Sequence, residues 1–215
     1  MLRAVASLVA PPLCAICEAP VGFEERICKH CQRELVELGP VRSTIGDLEI
    51  ISATRYEHVA RQLIAKLKFS SRLALAEVAA NAMVGVWGVD RPGIMVPVPG
   101  APARTRWRGF DTAWLLTSLI SHRTRPGYYM CLERTDGPRQ VGRSRADRIA
   151  DPPSIRWARL AKHVPKERVW LIDDVVTTGA TLLECARVLR GVGVEEVSAL
   201  TFARADSLGA SARAA

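Results

Sequence analysis

The chain has 215 residues, 48% of them hydrophobic, with 30 lysines and arginines against 22 acidic residues, a formal charge of +8. That length buries one ordinary core and leaves room for one small appendage, and the charge favours phosphorylated small molecules or nucleic acid over basic partners. No stretch approaches the roughly 20 apolar residues that cross a bilayer, which excludes an integral helical membrane protein. The apolar run at residues 4–10 is short for an export signal and leads straight into Pro11 and Pro12. A cytoplasmic location is expected, with peripheral membrane contact through the first ten residues left open.

Four of the six cysteines lie near the N-terminus as Cys14-x2-Cys17 and Cys28-x2-Cys31. Two such knuckles bring four thiolates tetrahedrally onto one zinc ion, which here acts as a structural staple. A region this short makes little core, so metal binding supplies most of its folding free energy, on the order of 10 kcal/mol. A disulfide or redox pair and an iron-sulfur centre are the alternatives. His30 is read as a surface residue, and Cys185, on the apolar side of a helix, as core.

The organisation expected is a metal module over residues 1–38, a linker over 39–49, a catalytic-type domain over 50–204 and a flexible tail over 205–215. From Ile50 short β-like runs alternate with helical runs, the pattern of βαβ units around a parallel sheet, hence an α/β fold. Residues 50–54 read as a first strand. Val59, Leu63, Ile64 and Leu67 mark a helix, and Leu73, Leu75, Val78, Ala79 and Met83 a second. Ile94, Met95, Val96 and Val98 form a buried strand that ends at Pro99. Trp114, Leu115, Leu119 and Ile120 mark another helix. Residues 123–153 are arginine-rich and weakly periodic, which reads as a mobile functional loop or small subdomain. Residues 169–172 give the clearest strand, Leu182, Leu183, Ala186 and Leu189 the next helix, and residues 197–202 a last strand.

The chemistry concentrates after Ile172. Asp173 and Asp174 stand at the end of a hydrophobic strand, and the loop Val175, Val176, Thr177, Thr178, Gly179, Ala180 and Thr181 leads into a helix. Open α/β sheets bind ligands at such strand ends. The threonine hydroxyls, the close approach allowed by Gly179 and the helix N-terminus suit a phosphate. The two carboxylates then suit sugar hydroxyls or a magnesium ion. A P-loop is excluded by the lack of a Gly-Lys-Ser/Thr turn, and a Rossmann fingerprint by Gly191 and Gly193 following a helix instead of a strand.

Residues 169–181 resemble the phosphoribosyl-pyrophosphate motif of type I phosphoribosyltransferases. The four-cysteine module, residues 56–68, the segment 96–99, Arg108-Gly109-Phe110 and Gln140 with Arg148 resemble, in the same order, the ComF or GntX-like family of competence-associated phosphoribosyltransferase-like proteins. The similarity spans about residues 8–204. It implies a type I phosphoribosyltransferase fold, a central parallel sheet with flanking helices and a flexible hood, preceded by a zinc-ribbon-like module. It further implies that Asp173 and Asp174 are catalytic and hold the ribose hydroxyls with Mg2+, and that Val175 to Thr181 bind 5-phosphoribosyl 1-pyrophosphate at its 5-phosphate. Arg104, Arg106, Arg108 and Gly109 would meet pyrophosphate, and Arg134, Gln140, Arg145 and Arg148 would lie in the hood. Two positions depart from the family: Asp111 and Asp151 stand where it usually has Asn, each exchanging a donor for an acceptor.

On this reading the chain transfers a phosphoribosyl group to a nitrogen nucleophile of the nucleobase class and releases pyrophosphate, by positioning and charge stabilisation. No residue pattern selects a purine, a pyrimidine or ammonia. The alternative is a single-stranded DNA-binding protein of DNA uptake, with Trp107, Trp114, Trp157 and Trp170 as candidates for base stacking, Trp107 foremost. A regulator that binds the phosphosugar without turnover is the third class. A homo-oligomer is left open.

Overall fold

The computed structural model describes residues 12–70, 72–134, 154–163, 165 and 167–205. The N-terminal module ends in α1 (Lys29–Leu38), followed by β1 (Val41–Ile45), β2 (Leu48–Arg55), α2 (His58–Phe69) and α3 (Ala74–Trp87). Then come β3 (Ile94–Pro97), α4 (Pro102–Arg108), α5 (Thr112–Ser121), β4 (Leu132–Arg134), β5 (Ile155–Trp157), β6 (Val169–Val176), α6 (Ala180–Gly191) and β7 (Val197–Arg204).

Five strands form one sheet in the order β1-β2-β7-β6-β3. β2, β7, β6 and β3 run parallel, and β1 pairs antiparallel with β2 along the edge. Alternation along the central strands divides the core into two layers. Ile51, Met95, Trp170, Ile172, Leu200 and Phe202 pack against α2, α3 and α5. Leu48, Ile50, Val96, Val169, Leu171 and Ala199 pack against α6 and the β4-β5 pair. The sheet is thus covered on both faces, as parallel sheets require. The buried hydroxyls of Ser52 and Thr201 satisfy each other across β2 and β7 at 2.7 Å.

The structure corrects four sequence expectations. Residues 41–45, read as linker, form β1, because Val41, Ser43 and Ile45 turn inward while Arg42 and Thr44 face out. The strand expected over 169–172 runs on through both aspartates to Val176, held by pairing to β7 as far as Arg204. Val175 and Val176 are therefore strand residues packed on the core, and the turn proper is residues 177–179. In α5 the buried side is Ala113, Leu116, Thr117 and Ile120, and Trp114 stays 37% exposed. Trp170 is fully buried against Trp87 at 5.5 Å between ring centroids, which removes it as a base-stacking residue.

The cysteine module docks on the same core. Cys14, Ile16 and Cys31 are buried with α2 and α3 residues. Glu18 accepts from Lys66 at 2.8 Å and Arg72 at 3.0 Å, and Arg26 pairs with Glu77 at 2.7 Å. No helix among the described residues is long and apolar enough to cross a membrane.

Candidate functional site

The carboxyl ends of β3 and β6 open into a cleft walled by the turn after β3, the N-terminal ends of α5 and α6, and the lysine at the end of α2. Asp173, Asp174 and Thr181 line it together with Arg104, Thr105, Arg108, Asp111, Thr112, Lys68 and Arg134. These residues come from four chain segments that the fold brings together at the carboxyl ends of parallel strands, the usual place of ligand sites in this class.

Asp174 is buried and salt-bridged to Lys68 Nζ at 2.6 Å. Asp173 accepts the Asp174 backbone N–H at 2.8 Å. Burial first, and then the Asp174 carboxylate, push the Asp173 carboxyl up to about 8, against the pull of Lys68 and that N–H. One lysine does not neutralise both carboxylates, one buried and one half-buried, so Asp173 favours a proton that a cation or hydroxyl donors can replace. That shortage of positive charge fits a divalent cation or sugar hydroxyls at Asp173 and Asp174.

The turn behind them delivers part of the expected cradle. Gly179 caps α6 with φ +76°, a left-handed conformation that favours glycine. A Cβ there would collide with the Ile45 side chain of β1, so the close approach at Gly179 is made by Ile45. Thr178 Oγ1 accepts weakly from Ala180 N–H at 3.4 Å, and Thr181 lines the cleft. Thr177 is exposed on the same turn.

Helix α4 starts at Pro102 and ends at Gly109 with φ +81°. Arg104 and Arg108 lie four residues apart, on one helical face, and both line the cleft, whereas Arg106 falls outside its lining. Arg108 also donates to Thr112 Oγ1 at 2.7 Å. Asp111 caps α5 by accepting from Trp114 N–H at 3.1 Å, and its second oxygen accepts from Gly100 N–H at 2.8 Å. Gln140, Arg145, Arg148 and Asp151 lie outside the described residues. Lys68, Thr105 and Thr112 were not singled out from sequence. Nothing in the local pattern marks them, because their proximity to Asp173 and Asp174 is created by the fold.

An apolar cleft adjoins the polar one and shares Val98, Pro99 and Asp111 with it; Pro97, Trp114, Met130 and Leu132 complete its walls. Further out, Phe69 and Trp107 are each 70% exposed and stand 6.3 Å apart.

In the N-terminal module, the sulfurs of Cys14, Cys17, Cys28 and Cys31 all lie within 4.8 Å of one another. Cys14 and Cys31 are 3.9 Å apart and Cys17 and Cys28 3.6 Å. Zn–S bonds of about 2.3 Å place tetrahedral sulfurs roughly 3.8 Å apart, so the set is the right size for one such ion. Burial raises the Cys14 thiol, but the N–H groups of Cys17, Cys28 and Ile16 outweigh it and bring it down to about 6. Cys31, buried among the other sulfurs, is pushed up. The cluster can hold a metal such as zinc. Cys131 and Cys185 are buried in the second core layer, with burial raising both thiols, as expected of packing residues.

A family profile described as phosphoribosyl transferase domain matches residues 133–212, the segment that carries Arg134, both aspartates and the threonine turn. Competence protein F of Haemophilus influenzae is 28% identical over 204 residues, covering 90% of this chain and 85% of that protein. The chain is thus similar to Competence protein F over most of both lengths and carries a phosphoribosyl transferase domain match. A solved structure titled as the allosteric regulatory enzyme of purine biosynthesis matches with 18% identity and a TM-score of 0.39 over 59% of this chain. This chain spans only 25% of that protein's length. The fold is the type I phosphoribosyltransferase α/β fold with a four-cysteine module in front, as read from the sequence.

Proposed function

We propose that this ComF-like chain binds 5-phosphoribosyl 1-pyrophosphate with Mg2+ and transfers the phosphoribosyl group to a nitrogen nucleophile of the nucleobase class, releasing pyrophosphate. The observation that carries the reading is the cleft itself, which brings the Asp173–Asp174 carboxylate pair, short of positive charge, together with Arg104 and Arg108. Asp173 and Asp174 hold the ribose hydroxyls and Mg2+, which when bound offsets charge on the pyrophosphate. Thr178, Thr181 and the first amides of α6 take the 5-phosphate. Arg104 and Arg108 steady the pyrophosphate as its bond to the anomeric carbon breaks. Gln140, Arg145 and Arg148 remain hood residues by resemblance alone.

The neighbouring apolar cleft gives the acceptor a seat. Its walls of Val98, Trp114, Met130 and Leu132 suit a planar ring better than ammonia, and its border at Asp111 is shared with the phosphosugar cleft. Zinc is the metal proposed for the four cysteines, as a structural ion, with residues 1–38 as its module and the transferase domain starting at β1 and ending with β7, over 41–204. The cytoplasm is the proposed location.

Release of pyrophosphate from 5-phosphoribosyl 1-pyrophosphate, measured with a panel of nucleobases, tests the reaction. It is expected for one acceptor and abolished in Asp174→Asn; silence across the panel with retained binding would leave a sensor in place of an enzyme. The exposed pair Phe69 and Trp107, together with the name of the Haemophilus relative, supports a second reading, a single-stranded DNA-binding role in competence. Affinity for single-stranded DNA that falls steeply with salt and drops in Trp107→Ala, but is indifferent to Asp174→Asn, would favour it.

A further inference from the structure

The turn that follows β3 lines the cleft with Arg104 and Arg108, and its backbone amides are donors an anion there would use. Pro99 has no N–H to offer. Val98 N–H is spent on Ile172 C=O at 2.9 Å, within the sheet. Gly100 N–H is the next donor, and Asp111 Oδ2 accepts from it at 2.8 Å. The contact is tight: a Cβ on Gly100 would sit 2.6 Å from that oxygen and 3.0 Å from Thr105 Oγ1. The other Asp111 oxygen is fixed by Trp114 N–H at 3.1 Å, so the helix cap holds the carboxylate against the turn.

We propose that Asp111 is a specificity-determining residue, whose carboxylate occupies the anion seat on Gly100 N–H and weakens the pyrophosphate end of the site relative to the 5-phosphate end. The inference rests on the phosphoribosyl reading above. Two effects act together there. The amide is already saturated by an anion that the chain supplies, and a ligand phosphate oxygen must displace it or do without it. The same carboxylate adds a negative charge to a cleft that already holds Asp173 and Asp174, while Lys68, one of its cations, is committed to Asp174. The 5-phosphate, at Thr181 and the α6 N-terminus, meets neither obstacle. Affinity for 5-phosphoribosyl 1-pyrophosphate is therefore set mainly by its ribose 5-phosphate half, and free pyrophosphate leaves readily.

Asp111→Asn separates the two jobs of the residue. Asn is as good a helix N-cap as Asp, so Oδ1 still accepts from Trp114 N–H and α5 is kept. The amide nitrogen cannot accept from Gly100 N–H, which is released to the cleft, and the charge is gone. Calorimetric titration of the metal-loaded protein with 5-phosphoribosyl 1-pyrophosphate, inorganic pyrophosphate and ribose 5-phosphate, each with Mg2+, reads the effect. The expected result is a gain of about tenfold or more for the two pyrophosphate ligands, with ribose 5-phosphate unchanged within about twofold. An equal gain for all three ligands overturns the proposal, since that is a general charge effect. A loss for the pyrophosphate ligands also overturns it, by showing that Asp111 holds the turn in its binding shape. If neither wild type nor variant binds any of the three, the phosphoribosyl reading falls and this inference with it; if ribose 5-phosphate binds and Asp111→Asn changes nothing, this inference alone falls.

Discussion

Replacing Asp173 by Asn should make the ligand-free protein more stable near neutral pH and leave it unchanged in acid, the reverse of what losing a paired carboxylate does. Asp173 has its carboxyl pushed up from 3.8 to about 8 in the fold. The folded state therefore binds a proton that the unfolded chain has released, and wild-type stability falls as pH rises from about 4 towards 8. Taken alone, the interval from 3.8 to pH 7 is worth on the order of 4 kcal/mol at 1.36 kcal/mol per unit. Asp173 is only partly buried and interacts strongly with the neighbouring Asp174, which reduces the figure to about 1–2 kcal/mol. Asn keeps an oxygen to accept the Asp174 N–H, so the variant loses no hydrogen bond. For a chain of this size the gain corresponds to roughly 3–6 °C in Tm. Thermal unfolding of the metal-loaded protein between pH 5 and 8.5 should show the two proteins converging in acid and Asp173→Asn ahead at pH 8. A variant that melts below wild type at pH 8, or a gap that does not change with pH, refutes the charge account of this pair.

Removing Lys68 should have the opposite sign. Lys68→Met leaves Asp174, buried beside Asp173, without its ion pair and should lower stability at pH 7 by about 1–3 kcal/mol in urea unfolding. Gly179→Ala combines a strained left-handed residue with a collision against Ile45 and should cost about 1–3 kcal/mol and weaken phosphosugar binding, read by the same two methods. Arg104→Ala and Arg108→Ala should each reduce affinity for 5-phosphoribosyl 1-pyrophosphate about tenfold, while Arg106→Ala, on the other side of α4, stays within about twofold. Chelation of the metal, or Cys28→Ser, should lower Tm of the whole chain, because the module is part of the core and holds α2 through Glu18, Lys66 and Arg72; an unaltered main transition would contradict that coupling.

What could be read from the sequence follows the physics of each element. The central strands were legible because a parallel strand buried on both faces is apolar without interruption, as at Val169, Trp170, Leu171 and Ile172. The metal cluster was legible because its ligands are close in sequence and their spacing is set by the knuckle turn. β1 was not, since an edge strand needs only alternate residues inward and the flanking Gly39-Pro40 and Gly46-Asp47 read as turns. α4 was missed because seven residues starting at Pro102 carry no periodic signal, and half of its arginines' meaning lies in which face each occupies. Lys68 beside Asp174 and Asp111 on Gly100 are products of tertiary structure. The resemblance marked Asp111 as a departure, but only the geometry shows both its oxygens engaged by backbone N–H groups.

The central claim is that Asp173 and Asp174 form the sugar end of a phosphoribosyl-pyrophosphate site. Calorimetric titration of the zinc-loaded protein with 5-phosphoribosyl 1-pyrophosphate and Mg2+, for wild type and for the Asp173→Asn/Asp174→Asn double variant, tests it most directly. Saturable binding by wild type that disappears in the double variant is the predicted result. Binding by neither protein, or equal binding by both, contradicts the claim.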